Sequence, residues 1–231
     1  ASYDITYVNG KLTVTDGDDD NPLDPDDVTT KTHDGKEYKY GETITWTIVA
    51  TNIYDEAKTI TLTEQEGVTL SQSVFEDVEP GAEIEATASY VVKASDVGNT
   101  YTNKVTVSYD GGTEVDQDDE VPEIKKAPLT ITADSASKTY DGEALEDDGW
   151  EDTAPEGLIG KDEVESVTVT GSQTLVGSSD NVPSEAKVVA EDGTDVTASY
   201  DITYVNGTLT VTDGTNPDDE EEVDPDLVVT K

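Results

Sequence analysis

The chain contains neither cysteine nor methionine, and it has one histidine and one phenylalanine. Without cysteine no disulfide can staple a domain, so an extracellular protein of this composition needs another means of holding itself together. The single histidine, His33, has no cysteine or second histidine to complete a zinc-type site, and beside Asp34-Gly35 it reads as an exposed turn residue. Basic residues are scarce: 13 stand against 54 acidic ones, a net charge of −41. Such a field repels nucleic acid and anionic membranes, which excludes both as partners. No signal peptide or membrane-spanning run is present, but a piece from the middle of an array would lack both, so their absence assigns no location. Leu, Ile, Val and Phe together make up only 48 of 231 residues, near the level below which highly charged chains stay disordered. Periodicity argues the other way. Val, Ile, Thr and Tyr recur in alternating runs that suit half-buried strands, and no stretch has the spacing of an amphipathic helix.

What the chain does have is a repeat. Residues 1–17 return as residues 198–214 with 16 of 17 positions identical; Lys11 against Thr208 is the difference. After each copy comes an acidic stretch and then a second echo, with residues 24–31 matched by 224–231 at six of eight positions. A long repeated unit is the mark of a tandem array. The chain therefore reads as a slice of a longer protein, starting on the closing strand of one repeat (1–16) and ending on the first strand of the next (227–231). In the first copy Tyr3, Ile5 and Tyr7 alternate, then Leu12 and Val14 alternate in the opposite phase. Asn9-Gly10 sits at the phase change, where a tight turn or a bulge would flip the phase.

Between these ends the pattern predicts an all-β protein of two small sandwich-like domains in tandem, 28–124 and 125–214, joined to their neighbours by acidic linkers at 17–27 and 215–226. In the first domain Ile44, Trp46 and Ile48 share a face, as do Ile60 and Leu62, then Ile84, Ala86, Ala88 and Tyr90, then Tyr101, Val105, Val107 and Tyr109. Turn signals fall at Asp34-Gly35, Tyr40-Gly41, Pro80-Gly81 and Asp110-Gly111-Gly112. Short alternating strands at this spacing point to a β-sandwich. In the second, Leu129 and Ile131, Val167 and Val169, and Leu209 and Val211 give period-two faces.

The motif order VTTKTHDGKEYKYGETITWTIVATN, ITLTEQEGVTL, VEPGAEIEATASYVV and YTNKVTVSY resembles the immunoglobulin-like conserved-repeat domain (domain of unknown function eleven) of bacterial surface proteins, from end to end of the first domain. Glu64 departs from that family, which usually has Asp there. The segments APLTITADSASKTYDGEAL, VESVTVTGSQTLVGSSDNVPSEAKVV and DVTASYDITYVNGTLTVT resemble the MBG domain of tandem bacterial adhesin arrays. These resemblances imply a stalk segment of an extracellular bacterial surface protein, Gram-positive and wall-anchored, whose partners are neighbouring repeats and which has no catalysis on an external substrate. The alternative is an adhesive module that itself binds a host glycan or protein, with Trp150 as its aromatic platform; Trp150 could equally cover one end of the small sandwich. A hydrolase is the weakest reading, because carboxylate pairs occur everywhere in a chain this acidic.

Two constellations carry candidate chemistry. Asp16, Asp18 and Asp20 alternate within a stretch holding seven Asp in twelve positions, 16–27. That stretch is either a solvated spacer or a calcium site, although the glycine and terminal glutamate of an EF-hand loop are missing. More specific are Lys31, Glu64 and Asn103, polar residues in phase with apolar faces. Glu64 continues the Ile60 and Leu62 face, Asn103 lies between Tyr101 and Val105, and Lys231, the second copy of Lys31, follows Leu227 and Val229 on the apolar parity. Buried polar groups must meet partners, so these three should meet each other. The trio resembles the Lys, Asn and acidic residue through which Gram-positive surface and pilin domains form an internal isopeptide bond. That resemblance implies a Lys31–Asn103 bond between the first and last strands of the first domain, with Glu64 as the catalytic carboxyl.

Acidic, proline-bearing linkers extend, and like-charged domains do not fold back on one another. Small-angle scattering at moderate salt is expected to give an elongated particle. A maximum dimension no larger than that of one compact globule would rule this out, and strong stiffening on adding calcium would favour the calcium reading of the linkers.

Overall fold

The computed structural model describes residues 28–110, 113–151 and 157–214. The expected strands at 1–16 and 227–231, the linkers at 17–27 and 215–226, and Asp16, Asp18 and Asp20 lie outside the described residues. The chain divides into two compact units, the first ending at Lys125 and the second beginning at Lys126. The fold is all-β, with no α-helix among the described residues.

The first unit is a sandwich of two four-stranded sheets. Its strands are β1 (Thr29–His33), β2 (Thr43–Thr51), β3 (Lys58–Glu64), β4 (Thr69–Leu70), β5 (Val74–Val78), β6 (Glu83–Val91), β7 (Tyr101–Tyr109) and β8 (Thr113–Val121). One sheet runs β1-β2-β6-β4 and the other β5-β3-β7-β8, with every pairing antiparallel. Alternation explains the packing. In β2, Ile44, Trp46, Ile48 and Ala50 have no exposed surface, while Thr43 before them and Thr45 between the first two face water. They meet Ile60, Leu62, Val105 and Val107 from the opposing sheet in one apolar cluster. Pro80-Gly81 turns the chain between β5 and β6, and Gly81 adopts φ 76°, a backbone conformation that costs glycine little.

The strand β8 is a departure from the sequence expectation, which ended the domain on β7. Its sequence, TEVDQDDEV, is too acidic to read as a strand. It pairs with β7 over nine residues, from Tyr101 opposite Val121 to Tyr109 opposite Thr113. Val115 and Val121 are buried on its inner face, and its other carboxylates, Glu114, Asp116, Asp118 and Glu120, point outward or sit at the rim. Charge on an edge strand is a common guard against edge-to-edge pairing, so acidity and strand are compatible here. Asn103 therefore stands on the penultimate strand, not the last.

The second unit comprises β9 (Ala127–Thr132), β10 (Ala136–Thr139), β11 (Glu163–Thr170), β12 (Gly177–Val189), β13 (Tyr200–Val205) and β14 (Gly207–Thr212). A two-stranded sheet, β13-β9, lies with a four-stranded one ordered β10-β14-β12-β11. The β9–β13 and β10–β14 pairs are both parallel and keep the same residue offset, Tyr200 opposite Ala127 and Leu209 opposite Ala136. The two segments thus form one continuous ribbon that passes from one sheet into the other. Leu129, Ile131, Val188, Tyr200, Leu209 and Val211 are buried by it.

The second copy of the repeated segment shows what its phase change is for. Asn206-Gly207 is neither a hairpin turn nor a bulge: β13 pairs with β9, β14 pairs with β10 and β12, and the two do not pair with each other. The buried face flips because the chain leaves one sheet for another. Gly207 sits where the two segments press together. A Cβ there would lie 2.0 Å from the Asp134 carbonyl oxygen and 2.7 Å from that of Ala133. Thr208, the position that differs between the copies, is exposed. Gly207→Ala is expected to destabilise the second unit by about 3 kcal/mol through overpacking. Calorimetry should show that unit's transition falling while the first unit's stays in place; an unchanged pair of transitions would contradict the crossing geometry.

Candidate functional site

The inner face of β1 carries Thr29, Lys31 and His33, with Thr30 and Thr32 turned to water between them. Lys31 lies opposite Ile48, and His33 opposite Trp46, on β2. A lysine placed on this parity has to enter the core. Its side chain has no solvent-exposed surface, and its Nζ lies 2.5 Å from Glu64 Oε1 and 5.4 Å from the centroid of the Trp46 ring. Glu64 is the last residue of β3 and its side chain is 3% exposed. Burial pushes the Lys31 amine below the usual lysine range, against the opposing pull of the Glu64 carboxylate and, more weakly, of Asp119.

Glu64 pairs with Val105 on β7. Asn103 stands two residues before Val105, hence one step along the same face, and is completely buried. Neither its Oδ1 nor its Nδ2 has a hydrogen-bond partner, and Glu64 Oε2 has none either. The contrast with Asn52 is instructive. Asn52 is equally buried, but its Nδ2 donates to the carbonyls of Glu56 and Val78 and its Oδ1 accepts from the Tyr54 amide. Leaving a buried polar group unpaired costs about 1–3 kcal/mol, so a fully buried amide with both ends unmet is an exception that calls for a reason. The structure thus brings Lys31 and Glu64 into contact and sets Asn103 on the face beside them without a hydrogen bond to either.

Two further residues at this place were not among the sequence candidates. His33 is not an exposed turn residue. It is the last residue of β1, its side chain is only 10% exposed, and Nδ1 contacts Asp119 Oδ2 of β8. Its Nε2 is buried without a partner, as is Trp46 Nε1. Asp119 lies directly opposite Asn103 in the β7–β8 register. Of the six buried side-chain atoms without partners among the described residues, five belong to His33, Trp46, Glu64 and Asn103. Once β8 is recognised as a strand, the alternation Val115, Gln117, Asp119, Val121 would have placed Asp119 inside, and His33 follows Lys31 by two.

The remaining candidates lie elsewhere. Trp150 is half-buried, and its backbone bridges to Ala133 of the second unit. No cluster of three or more His, Cys, Asp or Glu suited to a metal occurs among the described residues.

No family model and no curated protein matches the chain. Among solved structures it is similar to a FixG-related protein from Vibrio parahaemolyticus, with 13% identity over 44% of this chain and 98% of that one, at a TM-score of 0.36. It is similar also to BcpA, the major pilin subunit of Bacillus cereus, with 9% identity over 79% of this chain and 70% of that one, at a TM-score of 0.34. A protein of unknown function from Porphyromonas gingivalis W83 shares 11% identity over 78% of this chain and 99% of its own, at 0.31. Likenesses this distant assign no function.

The energetics of the buried pair can be read apart from any covalent chemistry by working in an Asn103→Ala chain. There Lys31→Met is expected to lower stability by about 3–5 kcal/mol, because it strands the Glu64 carboxylate in the core. Adding Glu64→Leu should recover most of that loss in denaturant unfolding. A double variant no more stable than the single one would show that the pair is not what the site depends on.

Proposed function

We propose that the chain is a structural stalk segment of a tandem-repeat bacterial cell-surface adhesin, and that its first unit is locked by an isopeptide bond between Lys31 and Asn103 with Glu64 as the catalytic carboxyl. The observation that carries the covalent part is the buried Lys31–Glu64 contact beside an Asn103 amide whose two polar atoms have no partners. The stalk reading is supported by the repeated segments, the acidic linkers and the motif order of both domains. It assigns the chain no external substrate, and any host ligand belongs to other parts of the full-length protein.

The chemistry follows from burial. A neutral amine is the nucleophile, and desolvation favours the neutral form of Lys31. Glu64 takes the ammonium proton of Lys31 across their contact, which leaves Nζ neutral, and then donates that proton to the amide oxygen and polarises the carbonyl. Lys31 Nζ attacks Asn103 Cγ. The tetrahedral adduct collapses with cleavage of the Cγ–Nδ2 bond. A proton lost by Nζ is carried through Glu64 to the departing nitrogen, which leaves as ammonia, and Glu64 ends protonated. Strands fixed by two sheets supply the proximity that makes a poor leaving group tolerable.

Intact mass decides the matter. The folded chain is expected to weigh one ammonia less than its sequence, and Glu64→Gln to weigh the full mass of its own sequence and melt at a lower temperature. A wild-type mass equal to the sequence mass would leave a hydrogen-bonded Lys31–Glu64 pair and no bond.

A further inference from the structure

Among the described residues β1 ends one sheet of the first unit and β8 ends the other, each with a hydrogen-bonded neighbour on one side. The His33–Asp119 contact joins these two edges, two residues along β1 from Lys31 and directly across from Asn103. Directly opposed residues on antiparallel strands share a face, with Cβ atoms about 4.5–5.5 Å apart. Asn103 is therefore flanked by carboxylates on both neighbouring strands, Glu64 diagonally on β3 and Asp119 straight across on β8.

A buried primary amide can present its two ends in either sense, and only one sense suits the reaction. The oxygen must face the acid that polarises it, and the nitrogen must face away from the incoming amine. An ionised carboxylate only accepts hydrogen bonds, whereas a protonated one also donates. No hydrogen bond joins Asp119 to Asn103 in this structure, and we propose that Asp119, held by its contact with His33, is a positioning residue for the cross-link through its charge: lying across from Asn103, it favours the amide sense that has Nδ2 toward β8 and the carbonyl toward Glu64 and Lys31. This inference rests on the cross-linking reading. It assigns β8 a task beyond covering β7. The negative charge of Asp119 also acts on the Lys31 amine, so its placement across from Asn103 is a compromise between orienting the amide and leaving the amine neutral.

The test is the rate of ammonia loss in the full chain made by cell-free synthesis, quenched at intervals and weighed, with limited proteolysis of the same samples reporting folding. Asp119→Asn, which can offer the amide either a donor or an acceptor, is expected to cross-link on the order of tenfold or more slowly while folding on the wild-type schedule. Asp119→Glu, which keeps an acceptor-only group, should restore most of the rate, and His33→Gln, which keeps a donor to Asp119, should lie between. Asp119→Asn reacting at the wild-type rate would overturn the proposal. So would equal slowing in Asp119→Asn and Asp119→Glu that merely follows a loss of protease resistance, since that is the mark of a structural role. If Asp119→Asn fails to fold, His33→Leu takes its place: a slowed rate in a protease-resistant chain supports the proposal and an unchanged rate overturns it. A wild-type chain that never loses ammonia is a separate result, and it removes the cross-link itself.

Discussion

An ammonium group taken out of water loses a large hydration free energy, several kcal/mol even after a protein relaxes around it. Lys31 is held where its side chain has no solvent access, with one carboxylate against it and an indole ring beneath it. That cost shapes the first unit. It requires a partner on the opposing sheet, which Glu64 supplies from the end of β3. It requires dry walls, which Trp46, Val105 and Tyr101 help to build. It also requires that the seam between the free edges of the two sheets be closed, where His33 meets Asp119. A core of this size could have been filled with leucine at less cost, so the polar residues are there for what they do to one another.

How much of this could be read from the sequence differs from element to element. Strands with a clean period of two, such as Thr43–Thr51 and Glu83–Val91, are evident because one face is fully buried and the other wet, and the burial of alternate residues follows at once. Glu64 and Asn103 were visible for the same reason, since each breaks an apolar phase; Lys31 was harder to place from its own strand and was legible through its second copy, Lys231, which follows Leu227 and Val229 on the apolar parity. His33 and Asp119 were not, because the inner face of β8 is only half apolar and its outer face is a row of acids, so the strand itself went unseen. Asn206-Gly207 misled differently. The dipeptide is a turn signal when strands pair locally, but here each flanking strand pairs with residues far away in sequence, and nothing local records that choice.

The near-identity of the two copied segments also has a physical reading in the copy the structure describes. Tyr200 is buried, with its hydroxyl donating to Asp162 at 2.6 Å and accepting from the Ile159 amide at 3.0 Å. The hydroxyl of Tyr204 accepts from the Ala186 amide. Leu209 and Val211 fill the core, and Gly207 leaves room for the crossing. Packing thus constrains Tyr200, Gly207, Leu209 and Val211, while Thr208, the position that differs, is exposed.

The parallel ribbon of the second unit has a mechanical meaning. Among the described residues its two segments are the first and last of that unit, and they run side by side in the same direction, from Ala127 toward Thr139 and from Tyr200 toward Thr212. Tension applied to the ends of the unit therefore pulls the two segments past each other lengthwise. The rungs of both pairs bear the load together and must yield nearly at once, whereas a hairpin pulled from its open end unzips one rung at a time. In the first unit the first and last described strands, β1 and β8, belong to different sheets, and no backbone ladder joins them among the described residues. The second unit thus meets tension with hydrogen bonds in shear between its first and last described segments, an arrangement that the ladders of the first unit do not provide.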